Sequence, residues 1–143
     1  MARMNLTLRA GERLFINGAV LRTDRKVTLE LLNDVAFLLE NHVIQASDAT
    51  TLLRQIYFAV QIMLMDPASL PNSLPLAEQL LKSSIQSFQS PLIVAGLREI
   101  GSLIQRQRYY DALKALRALY VYEQAEMHPS VSAKETTTQR ISP

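Results

Sequence analysis

The chain has 143 residues, 48% of them hydrophobic and 20% charged, which suffices for one sizeable core and is too apolar for whole-chain disorder. Its net charge of +2 conceals an uneven distribution, with six Lys or Arg against two acids up to residue 26 and nine against eleven thereafter. With no cysteine there is no disulfide or thiolate chemistry, and two histidines, His42 and His128, are too few for a histidine metal site or a histidine-based triad.

The first residues, MARMNLTLRAGE, alternate leucine with polar side chains and lack the apolar core of a signal peptide. The most apolar helix-like run, IYFAVQIMLM, is about half of the roughly 20 residues that a membrane span needs. A soluble, cytoplasmic protein without membrane contact is therefore expected.

Up to residue 45, turn signals recur at short spacing: Ala10-Gly11-Glu12, Asn17-Gly18, Asp24-Arg25-Lys26, Asn33-Asp34 and Glu40-Asn41. The short runs between them predict an antiparallel β-meander over residues 4–45. Asn17-Gly18 is the strongest signal, because a type I′ turn needs positive φ at both positions. Threading consecutive hairpins sets Arg9 opposite Arg13 and Leu6 opposite Ile16. It then sets Arg13 opposite Arg22 and Ile16 opposite Ala19, and finally Thr23 opposite Val27 and Leu21 opposite Leu29. One face so made carries Leu6, Leu8, Leu14, Ile16, Ala19, Leu21, Val27, Leu29 and Leu31, with Thr23 as its polar member. The other carries Thr7, Arg9, Arg13, Phe15, Val20, Arg22, Thr28 and Glu30. Residues 35–44, VAFLLENHVI, fit a strand or a short helix.

From residue 48 the period becomes helical. Ser47 or Asp48 is placed to cap a helix with Leu52, Ile56, Val60 and Leu64 at spacing four, ending at Asp66-Pro67. PASLPNSLP reads as a loop. A second helix is expected from Leu74 or Pro75 to Phe88, a third from Ser90-Pro91 through Leu103 or Ile104, and a fourth from about Arg108 to Glu126. The fold class is thus α+β, an antiparallel β-meander followed by a bundle of about four helices. It makes one domain over residues 1–126, helical from 48, with 127–143 a disordered tail.

The second sheet face poses the functional question. Arginines aligned across strands beside an aromatic ring suit phosphate pairing with base stacking, as single-stranded nucleic acid requires; equally, arginine stems cover a wet sheet face. The first helix is apolar almost all round, which calls for a central position or a subunit interface, and a homo-oligomer is expected. Glu123 and Glu126 read as solvated, as does the cluster Arg106, Arg108, Lys114 and Arg117, with Lys114 near Asp111. The four glycines, at 11, 18, 96 and 101, are not spaced as a phosphate loop. No enzyme activity, catalytic residue, metal or cofactor is expected.

Residues 10–67, AGERLFINGAVLRTDRKVTLELLNDVAFLLENHVIQASDATTLLRQIYFAVQIMLMDP, closely resemble the flagellum biosynthesis repressor family FlbT, and DALKALRALY at 111–120 resembles its C-terminal helix. The resemblance implies a post-transcriptional repressor that binds the 5′ untranslated region of flagellin messenger RNA and promotes its degradation. LTLRAGERLFI, residues 6–16, is also similar to the first hairpin of the carbon storage regulator family, whose first strand contacts RNA; that maps onto Leu6, Thr7 and Arg9. The expected RNA-binding residues are Thr7, Arg9, Arg13, Phe15, Arg22, Arg25 and Lys26. The competing reading is a flagellar protein-interaction module, binding regulatory proteins or acting like a chaperone without RNA.

Overall fold

Five short antiparallel strands precede four helices in a computed structural model that describes residues 4–33 and 35–127. The strands are β1 (Met4–Leu8), β2 (Arg13–Ile16), β3 (Ala19–Arg22), β4 (Val27–Leu31) and β5 (Phe37–Leu39). The helices are α1 (Leu52–Met65), α2 (Leu70–Ser87), α3 (Pro91–Gln105) and α4 (Tyr109–Met127). The class is α+β. Of the tail expected over 127–143, Met127 instead ends α4, and the rest lies outside the described residues, as does Asp34 of the Asn33-Asp34 turn.

The strands do not pair in simple meander order. β2 and β3 form the predicted hairpin, with Arg13 opposite Arg22 and Ile16 opposite Ala19. Asn17 and Gly18 have φ of 50° and 84°, as a type I′ turn demands. β1, however, pairs with β4, Leu6 facing Leu29 and Leu8 facing Val27, so the expected β1–β2 and β3–β4 pairings are absent. β5 completes the second sheet on the other side of β2, in the order β3-β2-β5. The segment 35–44 contains that strand and then a 3₁₀ turn at Glu40–His42.

Side-chain alternation is local, so most of the predicted apolar face survives the changed pairing. Leu6, Leu8, Leu14 and Phe37 are buried together, joined by Ile16, Val27, Leu29, Leu31 and Leu39, between the two small sheets. Ala19 and Leu21, assigned to the same face, stay exposed because β3 is an edge strand. Replacing Gly18 by valine should destabilise the fold by about 1–2 kcal/mol, because a left-handed conformation brings Cβ against the carbonyl oxygen. Urea unfolding measures it, and an unchanged midpoint would contradict the turn.

α1 is the central helix. Eight of its residues are buried, among them Leu53, Ile56, Val60 and Leu64, and it packs against α2, α4 and the β2–β5 side of the sheet. Its apolar circumference is thereby explained within one chain. Thr51 caps it, its hydroxyl accepting from Arg54 N–H at 3.2 Å, while Asp48 instead closes the preceding 3₁₀ turn. α2 begins earlier than its prolines suggest. Pro71 occupies its first turn, where an N–H has no intrahelical partner to lose, and Pro75 is tolerated inside the helix.

Candidate functional site

Two loops bring five basic residues of the N-terminal segment to one end of the strand pair. Between β1 and β2, Gly11 has φ of 79°, and Glu12 closes the turn by accepting from Arg9 N–H at 2.9 Å. Gly11 N–H donates to the Thr23 carbonyl at 2.8 Å, and the Thr23 hydroxyl donates to the Arg9 carbonyl at 3.4 Å. These bonds fasten the β1–β2 loop to the β3–β4 loop, placing Arg9 beside the Asp24-Arg25-Lys26 turn. Arg13 and Arg22, directly opposite each other, lie at the same end of their ladder.

All five cations are exposed. Arg9 lies 3.9 Å from Glu12 and Arg25 lies 3.2 Å from Asp24. Glu40 turns its carboxylate to the Arg13 backbone N–H, 2.8 Å away. Among the described residues, no carboxylate forms an ion pair with the side chains of Arg13, Arg22 or Lys26. The shallow hollow beside the loop is lined by Arg9, Ala10, Gly11, Glu12, Glu40 and Asn41, and with two carboxylates it is not an anion pocket. The five cations instead gather on the exposed end beside it.

The remaining expected residues sit differently. Thr7 is exposed on β1, its hydroxyl 3.5 Å from that of Thr28. Phe15 shares a strand face with Arg13 but is not an exposed stacking platform. It is half-buried and packed on the main core beside Leu38, its partner on β5. One strand face thus changes character along its length: the helices cover the Phe15 end and leave the Arg13–Arg22 end in water.

A polar network that the sequence reading missed lies between α1, α4 and the segment after β5. The Tyr57 hydroxyl donates to the His42 carbonyl at 2.6 Å and accepts from Arg117 at 2.9 Å. The Arg54 guanidinium lies 4.2 Å from the Tyr120 ring centre, and Gln61 bonds both backbone groups of Ile44 at 2.8 Å. Burial and then the Arg117 charge hold His42 below the usual histidine range, and burial raises the phenols of Tyr57 and Tyr120. Hydrogen bonds and a cation–π contact that fasten a loop to two helices make this a structural joint. The one sequence signal was Gln61, a polar residue in an otherwise apolar run.

The two α4 carboxylates correct the solvated reading. Glu123, only 3% exposed, accepts from Leu53 N–H in the first turn of α1 at 3.1 Å. Glu126 accepts from Gln89 and Ser90 N–H, both at 3.0 Å, at the start of α3. Two helix N-termini, each carrying partial positive charge, are thus satisfied from one neighbouring helix. Asp111 pairs with Arg108 at 2.6 Å rather than with Lys114, and Arg106 lies 3.4 Å from Glu99. Among the described residues no group of three or more His, Asp or Glu is placed to hold a metal, and no helix is long and apolar enough to cross a membrane.

Comparison with known proteins fits this architecture to a family. The family model described as "Flagellar protein FlbT" matches residues 4–127. A protein of Chelativorans sp. strain BNC1, named "Probable flagellum biosynthesis repressor protein FlbT", is 49% identical over 119 residues, covering 83% of this chain and 82% of its own length. The similarly named protein of Brucella anthropi is 52% identical over 120 residues, covering 84% and 79%. "Probable flagellum biosynthesis repressor protein FlbT 2" of Bradyrhizobium diazoefficiens is 51% identical over 122 residues, covering 85% and 90%. No solved structure matches. With every described residue inside the matched region, the chain belongs to the FlbT family of flagellar proteins.

Proposed function

We propose that this chain represses flagellum biosynthesis post-transcriptionally, in the cytoplasm, by binding the 5′ untranslated region of flagellin messenger RNA and promoting its degradation. The relatives' names support the repressor role. The observation that carries the RNA reading is the gathering of Arg9, Arg13, Arg22, Arg25 and Lys26 at one exposed end by the stitched loops. Guanidinium and ammonium groups there pair with phosphates, and the Thr7 hydroxyl offers a hydrogen bond to the sugar or phosphate. Phe15 supports the strand that presents Arg13. The chain performs no chemistry itself, so cleavage of the message falls to a cellular nuclease.

Binding of purified protein to the flagellin leader, measured at two salt concentrations, tests this. Affinity should fall steeply with salt through counterion release. Replacing Arg13 and Arg22 together by alanine should weaken binding at least about tenfold and lower the salt slope by roughly 1.4, two single-strand phosphate contacts at about 0.7 each, with an unchanged circular dichroism spectrum. Equal binding by variant and parent would overturn the assignment of this surface. A second reading, a protein-interaction module, draws on the exposed Leu92 of α3 and Val121 and Tyr122 of α4. Binding to a flagellar protein with little salt dependence, and none to the leader, would favour it.

A further inference from the structure

The hairpin that presents Arg22 also leaves a free strand edge. Each residue of β3 is exposed, including Val20 at 60% and Leu21 at 47%. β3 ends the order β3-β2-β5, and among the described residues no strand pairs on its outer side. Across a two-residue turn the flanking pair, here Ile16 and Ala19, exchanges both backbone bonds, and the pattern then alternates. Ala19 and Leu21 therefore direct their N–H and C=O groups towards β2, whereas Val20 and Arg22 direct theirs outward. The same alternation on β2 is visible on its far side, where Arg13 N–H donates to Glu40 and Asn17 N–H to the Ala36 carbonyl. Edges of natural sheets are usually blunted by charge, proline or a bulge. In β3 the run Ala19-Val20-Leu21 has none of these, and only Arg22, at its end, is charged.

We infer that β3 is a homodimer edge, pairing antiparallel with β3 of a second copy so that Val20 lies on the two-fold axis. Residues opposite each other in a ladder share a sheet face, so each symmetric register sets one residue opposite itself. With Val20 on the axis, Val20 meets its own copy, Ala19 meets Leu21 twice, and Arg22 meets Gly18. The three central pairs are apolar, and Arg22 meets no charge. With Leu21 on the axis, Val20 would face Arg22; with Arg22 on the axis, two guanidinium groups would face each other, which destabilises a sheet. The strand is thus its own complement in one register, which is what an isologous contact requires and why a second copy is the occupant. The product is a six-stranded sheet, β5-β2-β3 continued into β3-β2-β5. Four residues a side make a small contact, so the dimer is weak and concentration-dependent. This inference stands apart from the RNA reading and is tested without RNA.

The absence of native cysteine makes the register directly testable. Ala19→Cys and Leu21→Cys proteins are prepared separately, then oxidised alone and as a mixture. The mixture should give at least tenfold more disulfide-linked dimer than either alone, because position 19 of one copy lies opposite 21 of the other. In analytical ultracentrifugation from roughly 10 µM to 1 mM, a range spanning weak association, the parent's mass should rise. Val20→Lys should dissociate at least tenfold more readily with unchanged circular dichroism, since its side chain is solvent-exposed in the monomer. A parent that stays monomeric, a mixture that cross-links no better than the single variants, or a dimer indifferent to Val20→Lys would each overturn the inference.

Discussion

Glu123→Ala should cost the fold about 3 kcal/mol. The carboxylate is buried and accepts from the N–H of fully buried Leu53, so truncation leaves a helix-start donor without a partner and without access to water. Hydrogen bonds to charged groups contribute about 1.5–3 kcal/mol, and a negative charge at a helix start adds roughly 0.3–1 kcal/mol. For a domain of this size the melting temperature should fall by roughly 10 °C. Glu123→Gln, which keeps an acceptor and loses the charge, should fall between parent and alanine. Glu126→Ala is the control: Gln89 is exposed and Ser90 half-exposed, so water replaces much of what is lost, and about 1 kcal/mol is expected. Equal losses at the two positions would contradict the burial argument.

Leu38→Ala should cost about 3 kcal/mol, within the 2–5 kcal/mol typical of leucine truncation in a core. Its neighbours on β5 explain the sensitivity. Phe37 turns into the small core between the sheets, where its ring stacks on Tyr110 at 4.4 Å, while Leu38 turns the opposite way into the helical core with Ile56 and Val60. With Leu39 again on the side of the small core, three consecutive residues serve two cores, and a cavity at Leu38 weakens the seam between strands and α1. Urea unfolding measures the loss, and hydrogen exchange should show β2 and β5 amides opening before those of α3. A loss below about 1 kcal/mol, small for a core leucine, would mean that strands and helices do not depend on that seam.

Features encoded by neighbours in sequence were legible. Asn17-Gly18 announces its own turn, and Ser90-Pro91 announces the start of α3, where the serine hydroxyl accepts from Ile93 N–H at 3.3 Å. Leu6, Leu8, Val27 and Leu29 were assigned to the correct face despite the wrong strand partners, because alternation along a strand does not depend on which strand lies beside it. Partner choice itself is non-local, and nothing near Leu8 reveals that β4 comes to its side. The candidate site divides in the same way. Basic residues clustered in sequence remain clustered in space, but whether Phe15 meets water depends on where the helices stop. Glu123 and Glu126 look solvated in sequence because the helix starts that they satisfy arrive from far along the chain.

The nesting of one strand pair around another also sets an order of events during folding. The β2–β3 ladder closes over a two-residue turn, an event of roughly 1–10 µs, whereas β1 and β4 must meet across everything between them. Once the inner hairpin exists, the outer gap shrinks to two tight loops, which the Gly11–Thr23 bond joins in the folded protein. The inner turn thus works as a kinetic short circuit for a strand pair that it never touches. A defect at Gly18 should therefore slow the docking of β1, the strand that carries Thr7 and leads into Arg9.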